Sequence, residues 1–272
     1  STRLPTLSED CFRKPNRDMI GQRVIRTDGR EKVAGVAVYG DDLVFPGMLH
    51  AASRHTDIPA GNIKYLDVSP ARSMPGVEAV AVFSDIPGQK RLGPIRPDQY
   101  VIAHDQVFYA GEVLAVVAAH TRAQAQAAAN AIRVEYDPLP PVSDPRDAIQ
   151  PDARLVHPEY GTNVVLHYPL QKGDVEAGFA QSECILERTY KTGFQEHAYL
   201  EPESVTVCPE PASGIFTVHG SIQNPHTTRR MVAAFMNLPL NRVVIKSSVL
   251  GGSFGGKDDQ VNYLACRAAL LA

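Results

Sequence analysis

A glycine-rich segment, residues 251–257, constrains the fold more than any other feature of this sequence, because it carries four glycines. A β-prone run at 242–249 precedes it, and a run with helical spacing at 258–272 follows it. This order predicts a strand, a nearly bare loop and a helix. Backbone N–H groups in such a loop and at a helix start are free to face an anion, so we predict an anion-binding site. A plain tight turn that needs positive φ would also use glycine.

The same segment fits the first seven positions of the phosphate loop of nucleotide triphosphatases, G-x-x-x-x-G-K, which remains open as an alternative. Its eighth position is Asp258, where that motif has the Ser or Thr that holds magnesium. Only 15 residues follow Lys257, which leaves no room for the later strand that carries the second acidic motif. Both facts favour a different anion.

Hydrophobic periodicity and turn residues divide the remaining sequence into two predicted units. The first, residues 21–136, follows a polar arm at 1–20 and combines strands with an alanine-rich helix capped by Thr121. A proline-dense linker at 137–156 separates it from the second unit at 157–272. The predicted strands lie at 34–39, 48–53, 63–68, 77–83, 113–119, 132–136, 184–192, 204–208, 215–222 and 242–249.

Composition restricts the class of protein. With 44% hydrophobic and 21% charged residues among 272, the sequence is typical of a globular protein rather than a disordered or coiled-coil one. A net charge of −3 predicts no nucleic-acid partner, and without an apolar run of about 18 residues we expect no membrane partner. The four cysteines are widely spaced, so we expect free, mostly buried thiols in a reducing compartment and no iron–sulfur cluster held by this chain.

Two further segments carry polar side chains between predicted elements. Gln223 follows a predicted strand and precedes Asn224-Pro225, a pair typical of a helix start. Its amide could therefore donate to an oxo group in a crevice at the strand ends, although an ordinary exposed glutamine beside a cap is the simpler interpretation. The segment 194–202 contains His197 and Glu201, which are candidate metal ligands, but surface loops often collect such residues.

In order and spacing, the segments at 194–202, around Gln223 and at 251–257 together resemble the molybdenum hydroxylases, the family of xanthine dehydrogenase and aldehyde oxidoreductase. Motifs within residues 20–50 and at 173–179 are similar to the opening of that family's molybdopterin-binding subunit. The resemblance covers nearly the whole chain from about residue 20.

The resemblance implies an α+β fold, in which an α/β hammerhead domain is followed by the amino-terminal part of a molybdopterin-binding α+β domain. It implies that Gln223 hydrogen-bonds the apical oxo ligand of molybdenum, and that Phe254 lies near the metal through its backbone. Asp258 matches a substrate-binding glutamate of purine-oxidising members, although it is one methylene shorter. His197 and Glu201 are implied to shape the site. The implied cofactor-binding residues are Gln223, Gly252, Ser253, Phe254, Gly255 and Gly256.

The function that the resemblance implies is hydroxylation of an N-heterocycle such as a purine, with water as the oxygen source; an aldehyde or nicotinate-type substrate is the alternative. The implied cofactor is molybdenum–molybdopterin, in its cytosine dinucleotide form, with [2Fe–2S] clusters and FAD on partner subunits. Two alternatives come from other classes, namely a phosphate-loop nucleotide-binding module and a non-catalytic assembly subunit.

The resemblance also implies partner chains. The family's catalytic glutamate lies beyond the position that matches Ala272, so we expect no catalytic residue in this chain. The sequence stops within its last predicted helix, whose apolar side needs a surface to bury against. We therefore expect a C-terminal molybdopterin-binding polypeptide, together with an iron–sulfur subunit and an FAD subunit, in the cytoplasm.

Overall fold

The computed structural model describes residues 20–93 and 95–272. Nearly all of the predicted arm at 1–20 lies outside the described residues. The contacts of the chain separate a short amino-terminal unit, which ends at Val38, from a large unit that runs from Tyr39 to Ala272.

The described part of the amino-terminal unit contains one short helix. This helix, α1, spans Gly29–Val33 and follows Asp28, whose carboxylate pairs with Arg26. Gly35 comes directly after it and has a φ of 71°, which lies outside the extended region of the backbone. The chain turns at this glycine, so the strand predicted at 34–39 is not formed and that prediction is wrong.

The large unit combines short strands with helices. Its strands are β1 (His50–His55), β2 (Gly61–Asp67), β3 (Val77–Ala81), β4 (Arg91–Leu92), β5 (Gln99–Tyr100), β6 (Gln106–Val107), β7 (Val113–Ala119), β8 (Arg133–Pro138), β9 (Val205–Glu210), β10 (Ile215–Gly220) and β11 (Val243–Ser247). Its helices are α2 (Ser69–Arg72), α3 (Arg122–Ala131), α4 (Pro145–Ala148), α5 (Val175–Ala180), α6 (Pro225–Phe235) and α7 (Gly256–Leu271).

The first half of the large unit forms antiparallel sheets with strand orders β1-β7-β3, β6-β2-β8 and β4-β5. Every residue of β7 is buried, as its continuous apolar run predicts. Helix α3 packs on β1 and β7 through buried alanines, whose small side chains allow a close approach. The Thr121 hydroxyl accepts a hydrogen bond from the Gln124 N–H at 3.2 Å, so the predicted helix cap is confirmed.

The sheet of the second half positions the candidate site. Its strand order is β11-β10-β9, with β10 and β11 parallel and β9 antiparallel to β10. At one edge, Gly220 at the end of β10 lies opposite both Ser247 at the end of β11 and Val205 at the start of β9. The segments that follow β10 and β11, and the segment that precedes β9, therefore meet at this edge. We call it the carboxyl edge.

Helix α6 connects the parallel strands β10 and β11. Its first turn is capped as predicted, because the Asn224 side chain accepts a hydrogen bond from the Thr227 N–H at 3.2 Å. The helix buries Val232 and Phe235 in a hydrophobic core that also contains Ile102 from the first half. The two predicted domains thus pack against each other, while the linker boundaries at 137–156 stay a prediction.

The strand predicted at 184–192 is not formed, and this prediction is also wrong. The segment has no pairing strand among the described residues. Residues that would face opposite sides of a strand are both exposed to solvent: Ile185, Leu186 and Tyr190 are exposed by 56, 78 and 87%. A strand exists only where a neighbour takes up its backbone hydrogen bonds, and this segment lacks that neighbour in the described chain.

The three described cysteines are free thiols. Cys266 is buried, Cys208 is half-buried and Cys184 is exposed, so the prediction of mostly buried thiols is only partly met. Cys11 lies outside the described residues. Within residues 20–93 and 95–272, no helix is long and apolar enough to cross a bilayer.

Candidate functional site

The carboxyl edge brings together the three segments that the sequence singled out. Gln223 follows β10, the loop at 251–257 follows β11, and the segment 194–202 precedes β9. The Gln223 N–H donates to the Lys257 carbonyl at 3.0 Å, and the Ser253 hydroxyl donates to Gln223 Oε1. The structure thus places the predicted glutamine in direct contact with the predicted loop.

The loop follows an unusual backbone path. Gly252 and Gly255 have φ values of 102° and 95°, and Phe254 between them has a φ of 54°. The left-handed region is uncommon for a bulky side chain, and the Phe254 ring is 77% exposed. The four N–H groups of residues 252–255 have no acceptor among the described residues. The loop therefore presents a row of unsatisfied donors, which is the arrangement that binds an anion or an oxygen-rich group.

The other two glycines of the loop make room for a neighbouring segment. A Cβ on Gly251 would lie 2.5 Å from the Cβ of Glu201, and a Cβ on Gly256 would overlap the Tyr199 ring. Any side chain at these positions would push the segment before β9 away from the loop. The four glycines thus serve two needs, positive φ at two positions and close approach at the other two.

Glu201 is the centre of a polar cluster beneath the loop. Its Oε2 accepts hydrogen bonds from Lys257 Nζ at 2.8 Å and from the Ser221 hydroxyl at 2.7 Å. The same oxygen accepts from the Gly251 N–H at 2.7 Å, and Oε1 accepts from the Gly40 N–H at 3.2 Å. Burial alone raises the pKa of the Glu201 carboxyl, but its donors, led by Lys257, outweigh burial and hold that pKa below its ordinary value.

Lys257 is consequently not available to a bound phosphate. Its side chain is 0% exposed, and its ammonium group is taken up by Glu201 and by the Ser221 oxygen at 2.9 Å. A phosphate-loop lysine must reach the β- and γ-phosphates of the nucleotide. The structure therefore contradicts the phosphate-loop interpretation of this segment.

His197 lies beside the loop but does not form a metal site with Glu201. A Cβ on Gly256 would lie 3.1 Å from His197 Cγ, while the Glu201 carboxylate is occupied by its donors. No group of three or more histidine, cysteine or acidic side chains in residues 20–93 and 95–272 could hold a metal ion. Asp258 lies in the first turn of α7, where its N–H donates to the Gly255 carbonyl at 3.2 Å.

Sequence reasoning missed Ser221 and Gly40. Gly40 opens the short 3-10 helix Gly40–Asp42, and a Cβ there would lie 3.0 Å from Ser204 Cβ and 3.3 Å from the Ser221 nitrogen. A glycine followed by two aspartates predicts only a turn, and nothing in the sequence marks a serine two positions before Gln223. Both residues are recognisable only once the carboxyl edge is known.

The comparison with known families defines the class of protein. Residues 34–140 match the family described as aldehyde oxidase and xanthine dehydrogenase, a/b hammerhead domain. Residues 156–272 match the molybdopterin cofactor-binding domain. The predicted α+β fold, a hammerhead domain followed by a molybdopterin cofactor-binding domain, is therefore confirmed.

Relatives agree with this class. The chain is 38% identical over 248 residues to a probable xanthine dehydrogenase subunit of Bacillus subtilis, covering 91% of this chain and 33% of that protein. It is 37% identical over 253 residues to the nicotinate dehydrogenase large molybdopterin subunit of Eubacterium barkeri, covering 93% of this chain and 58% of that protein. The aldehyde oxidoreductase of Desulfovibrio gigas superposes with a TM-score of 0.81 at 29% identity, over 90% of this chain and 28% of that one. This chain belongs to the molybdenum hydroxylase family.

Proposed function

We propose that this chain forms part of the molybdenum-binding subunit of a molybdenum hydroxylase, which hydroxylates an N-heterocycle such as a purine with water as the oxygen source. The observation that carries the proposal lies at the carboxyl edge. There, the four N–H groups of 252–255, which have no acceptor in the described part of the chain, lie beside the carboxamide of Gln223. Fixed, uncharged donors of this kind bind and orient an oxygen-rich group.

This donor set fits molybdenum–molybdopterin, which we propose in its cytosine dinucleotide form. The Ser253 hydroxyl uses Gln223 Oε1, so the Gln223 amide nitrogen is left to donate to an oxo ligand. The residues proposed to hold the cofactor are Gln223, Gly252, Ser253, Phe254, Gly255 and Gly256. The bound molybdenum centre supplies the redox chemistry of hydroxylation, whereas the residues of this chain bind and orient it.

Two observations support an N-heterocyclic substrate, namely the names of the relatives and the position of Asp258. Two of the three relatives carry the names of N-heterocycles, xanthine and nicotinate, and one is named for aldehydes. We propose that Asp258, in the first turn of α7, is a substrate-binding residue. A carboxylate accepts a hydrogen bond from the ring N–H of a purine, which neither a simple aldehyde nor the pyridine ring of nicotinate offers. A purine-like N-heterocycle is therefore favoured over an aldehyde.

Exposed apolar side chains support a partner polypeptide. The chain spans about a third of the first relative and just over half of the second. Between 164 and 200, large apolar side chains are exposed by half or more at Val165, Tyr168, Leu170, Leu186, Phe194 and Leu200. So much exposed apolar surface in one segment is typical of a protein interface. We propose that a C-terminal molybdopterin-binding polypeptide covers this segment and supplies the catalytic base.

The remaining parts of the proposed enzyme concern electron transfer and location. We propose an iron–sulfur subunit that holds [2Fe–2S] clusters and an FAD subunit as the further partners, because hydroxylation releases two electrons that must leave the molybdenum centre. We propose that the assembled enzyme is cytoplasmic.

The test uses the complex that purifies with this chain. We expect molybdenum, a pterin dinucleotide and conversion of a purine or nicotinate with oxygen taken from isotopically labelled water. Gln223→Ala should lower turnover by on the order of tenfold, since it removes a hydrogen bond to a charged centre. Gln126→Ala on α3, where the side chain is exposed, should leave turnover unchanged.

Two results would count against this proposal. An active complex without molybdenum would refute it outright. Unaltered turnover of Gln223→Ala would favour the non-catalytic assembly subunit, because the chain would then hold no part of the reacting centre.

A further inference from the structure

One carboxylate connects three parts of the chain that are distant in sequence. Glu201 lies before β9, and Ser221 directly follows β10. Gly251 and Lys257 lie at the two ends of the loop after β11. Their donors converge on a single atom, Glu201 Oε2, at 2.7 Å, 2.7 Å and 2.8 Å. Few acceptors can serve three donors, and a carboxylate oxygen does so only because it carries charge.

The cluster is largely buried. The Lys257 side chain is 0% exposed and that of Glu201 is 12% exposed. A buried ion pair is stable only when additional hydrogen bonds satisfy both groups, and here the Ser221 hydroxyl contacts both Glu201 and Lys257. These side-chain contacts add to two backbone hydrogen bonds at the ends of the loop, from the Glu201 N–H to the Gly251 carbonyl at 3.3 Å and from the Gln223 N–H to the Lys257 carbonyl at 3.0 Å.

The donors to Glu201 lie next to the two parts of the proposed cofactor site. Gly251 immediately precedes the row of N–H groups at 252–255, and Lys257 follows it by two residues. Ser221 precedes Gln223 by two residues on the neighbouring strand end. The Glu201 carboxylate therefore ties both ends of the loop to the strand end that carries Gln223, in addition to the direct hydrogen bonds between Gln223 and the loop. The loop and the glutamine are the two parts of the proposed cofactor site.

We propose that Glu201 is a positioning residue, which acts through Gly251, Ser221 and Lys257 to hold the loop donors and Gln223 in one arrangement for the cofactor. It rests on the proposed function only for the identity of that cofactor. Glu201 itself does not contact the cofactor. Glu201→Gln keeps the size of the side chain but removes the charge. It also places an NH2 group among donors in either orientation of the amide, so at least one of the four hydrogen bonds that the carboxylate accepts is lost.

The experiment compares Glu201→Gln with a matched control, Glu210→Gln, in the complex purified with its native partners. Glu210 is exposed at the end of β9 and contacts Ser213 rather than the loop. We expect amide exchange at Gly251 and Gly40 to become about tenfold faster in Glu201→Gln, the ratio that follows from losing one charge-assisted hydrogen bond. We expect kcat and bound molybdenum to fall by about tenfold with little change in KM, and the control to match the wild type.

A double variant separates positioning from simple stabilisation. Glu201→Gln with Lys257→Met removes both buried charges, so it should recover much of the thermal stability that Glu201→Gln loses. If Glu201 positions the loop, fast exchange at Gly251 and low kcat persist in the double variant. If the role is only structural, both recover with stability, and the proposal is overturned.

A second substitution keeps the test valid if Glu201→Gln prevents assembly of the complex. Should Glu201→Gln not assemble, Glu201→Asp keeps the charge and shortens the side chain by one methylene. It should show the same two effects to a smaller degree, and wild-type exchange and kcat in this variant would overturn the proposal. A wild-type complex without molybdenum would remove the proposed function, whereas normal exchange at Gly251 and Gly40 in Glu201→Gln would remove the positioning role alone.

Discussion

Glu112 shows how burial controls the charge of a carboxyl group in this fold. Its side chain is 1% exposed, and its Oε2 accepts a hydrogen bond from the Phe108 N–H at 2.8 Å. Its other oxygen is buried without a partner among the described residues. Burial raises the pKa of Glu112 from 4.5 to about 7, and the Phe108 hydrogen bond and the nearby Arg267 only partly oppose this rise.

The raised pKa makes stability depend on pH with a definite sign. Between pH 4.5 and 7 the folded state keeps a proton on Glu112 that the unfolded state has lost, so the free energy of unfolding falls as pH rises. One pKa unit corresponds to about 1.4 kcal/mol. A rise from 4.5 to about 7 therefore costs about 3 kcal/mol above pH 7 and almost nothing below pH 4.5.

Glu112→Gln should remove this cost, because the amide stays neutral at every pH. At pH 8 we expect the variant to be more stable than the wild type by about 3 kcal/mol, or about 6 °C in Tm for a chain of this size. At pH 4.5 the two proteins should differ little. Thermal unfolding by circular dichroism at steps between pH 4.5 and 8 measures the difference, with the exposed Glu135→Gln as control. A difference that does not grow with pH would refute the reasoning.

Three other changes test the local geometry. Gly252→Ala should destabilise the protein by about 1–3 kcal/mol in urea unfolding, because φ is 102° there and the new Cβ would lie 3.1 Å from Tyr199 Cβ. Thr228→Val should cost about 1–3 kcal/mol in thermal unfolding, since it leaves the buried Asn262 Oδ1 without its donor at 2.6 Å. Asn224→Ala should cost about 1 kcal/mol and speed amide exchange in the first turn of α6, whose N-cap it removes.

Features of the fold that depend on residues close together in the sequence could be predicted from it. The buried strand β7 coincides with the apolar run at 113–119. The caps at Thr121 and Asn224 act as their residue types predict. Each of these signals lies within a few residues, so local chemistry is enough to decide it. The strand–loop–helix order around 251–257 was predictable for the same reason.

Features that depend on pairing partners could not be predicted in this way. The segment 184–192 has the alternation of a strand but finds no strand to pair with in the described chain. The run at 34–39 is apolar enough for a strand, yet the positive φ of Gly35 makes the chain turn there. Alternation selects the residues that suit a sheet, whereas formation of the sheet needs an acceptor and a donor from elsewhere.

The ion pair beneath the loop shows the same limit at the site itself. Glu201 and Lys257 are 56 residues apart. The motif G-x-x-x-x-G-K by itself predicts that Lys257 binds a phosphate. Their contact is decided by the strand order β11-β10-β9, which places the start of β9 beside the end of β10. The topology, rather than either motif, determines which charge the lysine meets.

This pairing changes what the loop can bind. A loop with a free lysine attracts polyanions through a point charge, which favours a triphosphate. Here Glu201 neutralises Lys257, so the groups available to a ligand in the described structure are the loop N–H groups at 252–255 and the neighbouring carboxamide of Gln223. The dipoles of these N–H and carboxamide groups act over short distances and must be held in a fixed orientation. The carboxyl edge of the three-stranded sheet holds them in this way. Such donors are in place before any ligand arrives, so they need no rearrangement to stabilise charge on a bound oxygen.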